Sequence, residues 1–213
     1  MMNITEILMI STQDFPKRKA KEILPLTQDA YGTLDTQYQF LINYLETGDQ
    51  RIIIITDTAK NKEIVAYAGF ISRLNGKIWQ AKNLQVYPPY KGMQFAGRLY
   101  KFIKEKFKKS IQSDIEQSPS GRILWQKTLP SLGMNPKIFD TQTQYIIDQS
   151  NPAAFELAQQ SMYNTDDDKE RYRYTWILET FDQYNDNSIL TEGTLLMPYT
   201  GIWYTFKEKE INV

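Results

Sequence analysis

One stretch of this sequence limits the fold more than any other, because an apolar extended segment runs into two prolines, a short basic turn and a helical pattern. It covers residues 84 to 99 and reads LQVYPPYKGMQFAGRL. Pro88 and Pro89 cannot donate hydrogen bonds to a neighbouring strand, so the strand must end there. The helix that follows begins with backbone N–H groups that have no partner inside it. The stretch therefore predicts a strand, a turn and a helix in immediate succession.

Residues 90 to 96, called the basic turn below, have the composition of an anion-binding site. Unpaired N–H groups at a helix start attract phosphate, and Lys91 adds a positive charge beside them. Gly92 and Ala96 leave little side chain between a ligand and the backbone. The alternative interpretation is an ordinary connection with a solvated lysine, since short glycine-lysine turns are weak motifs.

The composition excludes several kinds of chemistry. The chain has 213 residues, with 25 Lys plus Arg, 25 Asp plus Glu, and neither histidine nor cysteine. The balanced charge gives no overall attraction to nucleic acid or to membranes. Without cysteine and histidine the usual zinc ligands, disulfides, thiolate nucleophiles and Ser-His pairs are missing, so we expect no metal. Acid and base groups must then be carboxylates, tyrosine, lysine, water or the substrate.

The expected location follows from the distribution of apolar residues. No apolar run approaches the ~20 residues that span a bilayer. The first residues, MMNITE, lack the basic start and long apolar core of a secretory signal. We therefore expect a soluble protein of the cytoplasm that does not act at a membrane.

The first part of the chain predicts one strand and two helices. Glu6 to Ser11 alternates in the manner of a strand. Residues 17 to 45 carry helical spacing that is interrupted near Pro25 and Gly32, which favours two consecutive helices.

Three strands are predicted next. Residues 51 to 56 contain four consecutive isoleucines, which indicate a buried strand. Residues 63 to 73 and 77 to 86 flank Asn75-Gly76, a pair typical of tight hairpin turns. The last of these strands leads directly into the basic turn.

The rest of the chain alternates helices and short strands. The predicted elements are an amphipathic helix from Lys91 to Lys109, a strand at 111–115, a helix from Ser118 to Gly133, a strand pair at 137–147, a helix at 153–162, and aromatic strands at 172–178 and 194–206. This order predicts a mixed α/β fold, in which a central mixed sheet is flanked by helices. We expect one domain over residues 1 to 150, with residues 151 to 213 forming a helix and an aromatic, β-rich extension packed on it.

With these elements in place, residues 51 to 147 resemble the GCN5-related N-acetyltransferase (GNAT) superfamily. In that family the turn after the fourth strand usually reads Arg/Gln-x-x-Gly-x-Gly/Ala and binds the pyrophosphate of acetyl-coenzyme A. The same positions read KGMQFA here. Lys91 keeps the charge of arginine but lacks its planar fork, and Gln94 puts a side chain where glycine lets the backbone approach phosphate.

A second block strengthens the resemblance. Ser118-x-x-Gly121-x-x-Leu124-Trp125 stands where many members have Asn-x-x-Ala-x-x-Leu-Tyr, and residues 132 to 134, Leu-Gly-Met, resemble their Leu-Gly-Phe helix ending. The longer run from residue 113 to 125 is similar to GNAT-like proteins carried by bacteriophages, some of which are related to the DNA-modifying Mom proteins. A phage origin would place the protein in the cytoplasm of a bacterial host.

The resemblance implies that acetyl-CoA, or another acyl-CoA, is bound around the basic turn. By position, Gln85, Val86 and Tyr87 would hold the pantetheine arm. The full set of implied cofactor-binding residues is Gln85, Val86, Tyr87, Lys91, Gly92, Met93, Gln94, Phe95, Ala96, Ser118 and Trp125.

The family's reaction needs a base for the attacking amine and an acid for the leaving thiolate. Asp114 and Glu116 are the nearest acidic residues; alternatively, Asp114 caps a turn and Glu116 is solvated. Trp125 stands where the family often has its tyrosine acid, but indole cannot protonate a thiolate, so we expect it to pack. Tyr90, or Tyr87, is then the candidate acid, since both flank the predicted cleft; the alternative is an amphipathic rim residue, the more common role of such a tyrosine.

Three functions remain open at this point. The first is an N-acyltransferase in which an amine acceptor attacks acetyl-CoA directly, consistent with the absence of a cysteine carrier. The second is a catalytically inactive phage accessory or interaction protein with the aromatic C-terminal region as its interface. The third is a Mom-like enzyme that modifies DNA bases, for which the lysines of 101 to 109 offer a contact unless they form a solvated helix face.

Overall fold

A computed structural model describes residues 17–164, 166–167 and 171–180. The strands, in chain order, are β1 (Gln28–Thr33), β2 (Phe40–Thr47), β3 (Gln50–Asp57), β4 (Glu63–Arg73), β5 (Ile78–Val86), β6 (Ser110–Gln112), β7 (Lys137–Asp140), β8 (Ile146–Ile147) and β9 (Tyr174–Leu178). The helices are α1 (Lys17–Ile23), α2 (Phe95–Phe102), α3 (Pro119–Ile123), α4 (Leu129–Ser131) and α5 (Pro152–Asn164). A π-helical turn, Ile103–Phe107, continues α2, and a second, Leu124–Thr128, joins α3 to α4.

The described strands form one nine-stranded sheet in the order β1-β2-β3-β4-β5-β6-β9-β7-β8. Neighbours are antiparallel except for β5 and β6, which are parallel. Helices lie against this mixed sheet, so the predicted mixed α/β class is confirmed.

Strand β3 shows why four consecutive isoleucines favour a buried strand. Ile53 and Ile55 pack in the main core with α2 and α5, whereas Ile52 and Ile54 pack in a second core with α1. All four side chains are at most 1% exposed. Because alternate side chains of a strand point to opposite faces, such a run suits a strand covered on both sides.

The second helix predicted within residues 17 to 45 is wrong. Only α1 and a 3-10 turn at Leu24–Leu26 are helical there, and the chain then forms β1 and β2. β2 pairs with β3 along its whole length, from Phe40 opposite Asp57 to Thr47 opposite Gln50. Alternate residues of β2, namely Phe40, Ile42 and Tyr44, pack into the main core. The strand forms despite the helical spacing, because the backbone of the buried strand β3 needs a hydrogen-bonded neighbour on this side.

The hairpin predicted across Asn75-Gly76 is present as β4 and β5. The helix start predicted at Ser118 is also present, since the Ser118 hydroxyl accepts a hydrogen bond from the backbone N–H of Gly121 at 3.2 Å. The strand predicted at 111 to 115 is shorter and forms β6.

The C-terminal part of the described chain enters the central sheet. β9 lies between β6 and β7 and pairs with both. The predicted strands at 6 to 11 and 194 to 206 lie outside the described residues. Within the described ranges, no helix is long and apolar enough to cross a membrane.

Candidate functional site

The parallel strands β5 and β6 diverge soon after they meet. They pair at three positions, and the last of these is Gln80 opposite Gln112. Beyond it, β5 continues beside β4 to Val86, whereas the chain after β6 follows β9. The backbone N–H of Ser113 donates to the Trp176 carbonyl at 2.8 Å, and the Trp176 N–H donates to the Ser113 hydroxyl at 3.0 Å. A parallel sheet commonly opens a ligand crevice at such a point.

One ion pair spans this divergence. The Lys82 ammonium on β5 lies 2.9 Å from the Asp114 carboxylate just after β6. The backbone N–H of Ile115 donates to the same carboxylate oxygen at 2.9 Å. Burial raises the pKa of Asp114 above its usual value, although the Lys82 charge opposes this effect. A carboxylate with a raised pKa is better suited to accept a proton near neutral pH.

The second predicted base is in a different environment. Glu116 is exposed and accepts a hydrogen bond from the Tyr172 hydroxyl at 3.3 Å. Asp114 is therefore the more enclosed of the two carboxylates. The assignment of either as a base stays a prediction.

The basic turn presents four of its predicted ligand residues to solvent. Lys91, Gly92, Met93 and Gln94 are exposed, and Phe95 is anchored in the main core. Gly92 has a φ of +87° and open space where a side chain would lie.

Gln94 has a φ of 57°, in the left-handed region, and its side chain does not cap α2. The start of α2, where phosphate is predicted to bind, is thus exposed and has no side-chain cap. The residue there is a glutamine in a backbone conformation typical of glycine.

Tyr90 fastens the basic turn to the connection between β3 and β4. Its hydroxyl lies 2.9 Å from the Asp57 carboxylate and 3.2 Å from the Glu63 carboxylate. Burial and these two carboxylates raise the pKa of the Tyr90 hydroxyl. Such a phenol holds its proton tightly, so this geometry supports an anchoring role for Tyr90; its predicted role as an acid stays a prediction.

The remaining predicted cofactor residues surround the turn and the helix α3. Tyr87 is buried in the second core, Val86 packs against the main core, and Gln85 is half-buried. Ser118 is exposed at the start of α3. Trp125 is 3% exposed, and its ring centroid lies 5.5 Å from that of Tyr100, consistent with the predicted packing role.

The structure also brings together four lysines from two distant stretches of the sequence. Lys17, Lys21, Lys60 and Lys62 line a cavity of about 450 Å³, called the lysine cavity below, whose walls include Leu24, Pro25 and Ile64. Glu63 also lines it and pairs with Lys17 at 2.7 Å.

The lysine cavity lies beside the basic turn, because the Lys60 ammonium is 5.0 Å from the centroid of the Tyr90 ring. The signal in the sequence is the Lys60-Asn61-Lys62 cluster, but α1, which contributes the other two lysines, lies some 40 residues earlier.

Among the described residues, no group of three or more Asp, Glu, His or Cys side chains is placed to hold a metal ion. The polar groups at the divergence include the Lys82–Asp114 ion pair and the backbone N–H of Ile115. They are suited to binding polar organic ligands and to proton transfer.

Comparison with protein-family models gives no match, and neither does comparison with curated proteins. Comparison with solved structures gives a match to a Bacteroides thetaiotaomicron protein that is described as a GNAT-family member. The match covers 81% of this chain and 86% of that chain, at 11% identity and a TM-score of 0.38. This TM-score is too low to establish a common fold.

Proposed function

We propose that this chain is a GNAT-type N-acyltransferase that moves an acetyl or other acyl group from coenzyme A to an amine. The basic turn carries the proposal: an exposed lysine and a glycine in open space directly precede the uncapped start of α2. This arrangement follows the strand that diverges from a parallel neighbour. Helix starts with a nearby cation bind phosphate groups, and coenzyme A carries three of them.

The proposed reaction needs one proton acceptor from the chain. The amine nitrogen attacks the thioester carbonyl carbon, a C–N bond forms, and the C–S bond breaks with sulfur leaving as thiolate. The nitrogen gives its extra proton to the Asp114 carboxylate, and the thiolate takes a proton from solvent. Lys82 keeps Asp114 in place across the divergence. No cysteine is needed, since the acyl group passes directly to the acceptor.

The charge around the turn supports a polyanionic substrate. The lysine cavity contributes four cations, of which one is paired with Glu63. Lys91, next to Tyr90 in the chain, adds an exposed cation in the basic turn. A local concentration of positive charge attracts anions even in a chain without net charge.

A second candidate, a protein of the same fold that binds without turnover, is favoured by Gln94 and Trp125. Gln94 places an exposed side chain at the helix start, and Trp125 offers no acid at the position where the family often has tyrosine. Release of free thiol from acetyl-CoA with a panel of primary amines separates the two candidates. Amine-dependent thiol release supports the acyltransferase, and binding of acetyl-CoA without any release supports the second candidate.

A further inference from the structure

Asn83 on β5 is a buried amide without a partner. Its side chain is 4% exposed, and neither its nitrogen nor its oxygen has a hydrogen-bond partner in the described part of the chain. A buried polar group in this state costs free energy, so native proteins rarely keep one without a reason.

A second buried asparagine in the same sheet shows the usual arrangement. Asn43 on β2 is 3% exposed. Its side-chain nitrogen donates to the Ile54 carbonyl at 3.0 Å and to the Thr56 hydroxyl at 3.1 Å. Asn43 is therefore tied into the sheet, whereas Asn83 is not.

A β-bulge gives Asn83 its position. Phe70 faces Ala81, but the next pair is Gly69 with Asn83, so Lys82 is an extra residue in β5. Ala81 and Leu84 both pack with the main core, which leaves two consecutive polar residues between them. Lys82 holds Asp114, and the residue opposite Asn83 is a glycine without a side chain.

The bulge also lies just past the last pair of β5 with β6, at Gln80. Both polar residues of the bulge thus lie next to the divergence: Lys82 is bound to Asp114, and Asn83 has no side-chain partner among the described residues. The Asn83 amide can offer a ligand the N–H donors of its nitrogen and the acceptor positions of its oxygen.

We propose that Asn83 binds the reacting groups: its side-chain N–H donates to the thioester carbonyl oxygen, and its side-chain oxygen accepts from the attacking amine. This inference rests on the proposed acyl transfer. Asn83 moves no proton; it orients the carbonyl toward the amine, while Asp114 is the base. The missing partners are then supplied by the substrates, which present an acceptor and a donor.

A stability comparison tests the first half of the inference. In the free protein, Asn83→Leu keeps the melting temperature or raises it, because the variant loses no internal hydrogen bond. The matched variant Asn43→Leu lowers the melting temperature. A clear loss of stability in both Asn83→Leu and Asn83→Ala would show that the Asn83 amide stabilises the folded protein, and would overturn the inference.

A binding comparison tests the second half without knowledge of the acceptor. By calorimetry, the wild type should bind acetyl-CoA about 2- to 10-fold more tightly than CoA, the range for one hydrogen bond to the acyl carbonyl. Asn83→Leu and Asn83→Ala should bring this ratio close to one while affinity for CoA is unchanged. The carbonyl ¹³C shift of labelled acetyl-CoA should move toward its value in water in the same variants.

The outcomes separate this inference from the proposed function. A ratio unaffected by either substitution, or equal affinities in the wild type, overturns the role of Asn83 and leaves acyl transfer standing. If neither acetyl-CoA nor CoA binds, the proposed acyl transfer is overturned, and so is the substrate assigned to Asn83. The stability comparison would then still show whether the Asn83 amide stabilises the folded protein.

Discussion

Lys82 and Asp114 form an ion pair at 2.9 Å across the point where two parallel strands stop pairing. The two residues are 32 positions apart in the chain. Their side chains are 23% and 18% exposed, so the pair is partly shielded from solvent. This relationship places a carboxylate with a raised pKa where β5 and β6 diverge, and it motivates the first prediction.

Asp114→Asn should lower amine-dependent thiol release by about 10²- to 10⁴-fold, the usual contribution of a general base. Affinity for acetyl-CoA should be unchanged, because Asp114 is not assigned to the cofactor. Turnover is measured by steady-state kinetics, and the affinity for acetyl-CoA is measured by calorimetry. The matched variant is Glu116→Gln; loss of turnover there, with full turnover in Asp114→Asn, would make Glu116 the base.

The pH profile gives a second test of the same pair. A base acts only when it is deprotonated, so turnover should fall as the pH drops through the raised pKa of Asp114. Lys82→Met removes the cation that opposes this rise, so the pKa should increase further. The acidic limb of kcat should therefore move to higher pH in Lys82→Met. An unmoved limb would contradict the assignment of Asp114.

Tyr90→Phe tests the anchor of the basic turn. The variant leaves one oxygen of the fully buried Asp57 carboxylate without the Tyr90 hydroxyl. We expect the free energy of unfolding to fall by about 1–3 kcal/mol in urea titrations. Tyr145→Phe is the control, since Tyr145 is 69% exposed. Unchanged stability together with lost turnover would instead support the predicted role of Tyr90 as an acid.

Gln94→Gly tests the conformation of the helix start. The φ of Gln94 is 57°, which glycine adopts without a steric cost. The change should raise the free energy of unfolding by up to about 1 kcal/mol, and should tighten acetyl-CoA binding by removing a side chain next to the backbone amides. The control, Gln126→Gly in the turn that joins α3 to α4, should be destabilising. Weaker cofactor binding in Gln94→Gly would show that the glutamine itself contacts the ligand.

Local patterns in the sequence predict the central part of this fold well. The isoleucine run of β3, the Asn-Gly turn between β4 and β5, and the Ser118 cap each depend on neighbouring residues alone. The local spacing of the β1 and β2 region predicts helix instead, since its strand character depends on pairing with β3. Tertiary pairing overrides local spacing there.

The candidate site is harder to predict from the sequence than the central part of the fold. Motifs and chain order predict the basic turn and Asp114, but the contact of Tyr90 with Asp57 joins residues 33 positions apart. The lysine cavity likewise combines α1 with the connection after β3. Asn83 carries no signal in the sequence, since an unpartnered amide is recognised only when the burial of its atoms and the positions of its neighbours are known.

The most direct test of the proposed function is the affinity of acetyl-CoA for the wild type and for two charge-reversed variants. Lys91→Glu replaces the cation of the basic turn, and Lys106→Glu replaces an exposed lysine in the π-helical turn after α2. The wild type and Lys106→Glu should bind with similar dissociation constants, while Lys91→Glu should bind at least about 10-fold more weakly. Failure of the wild type to bind millimolar acetyl-CoA, or undiminished binding by Lys91→Glu, would contradict the account.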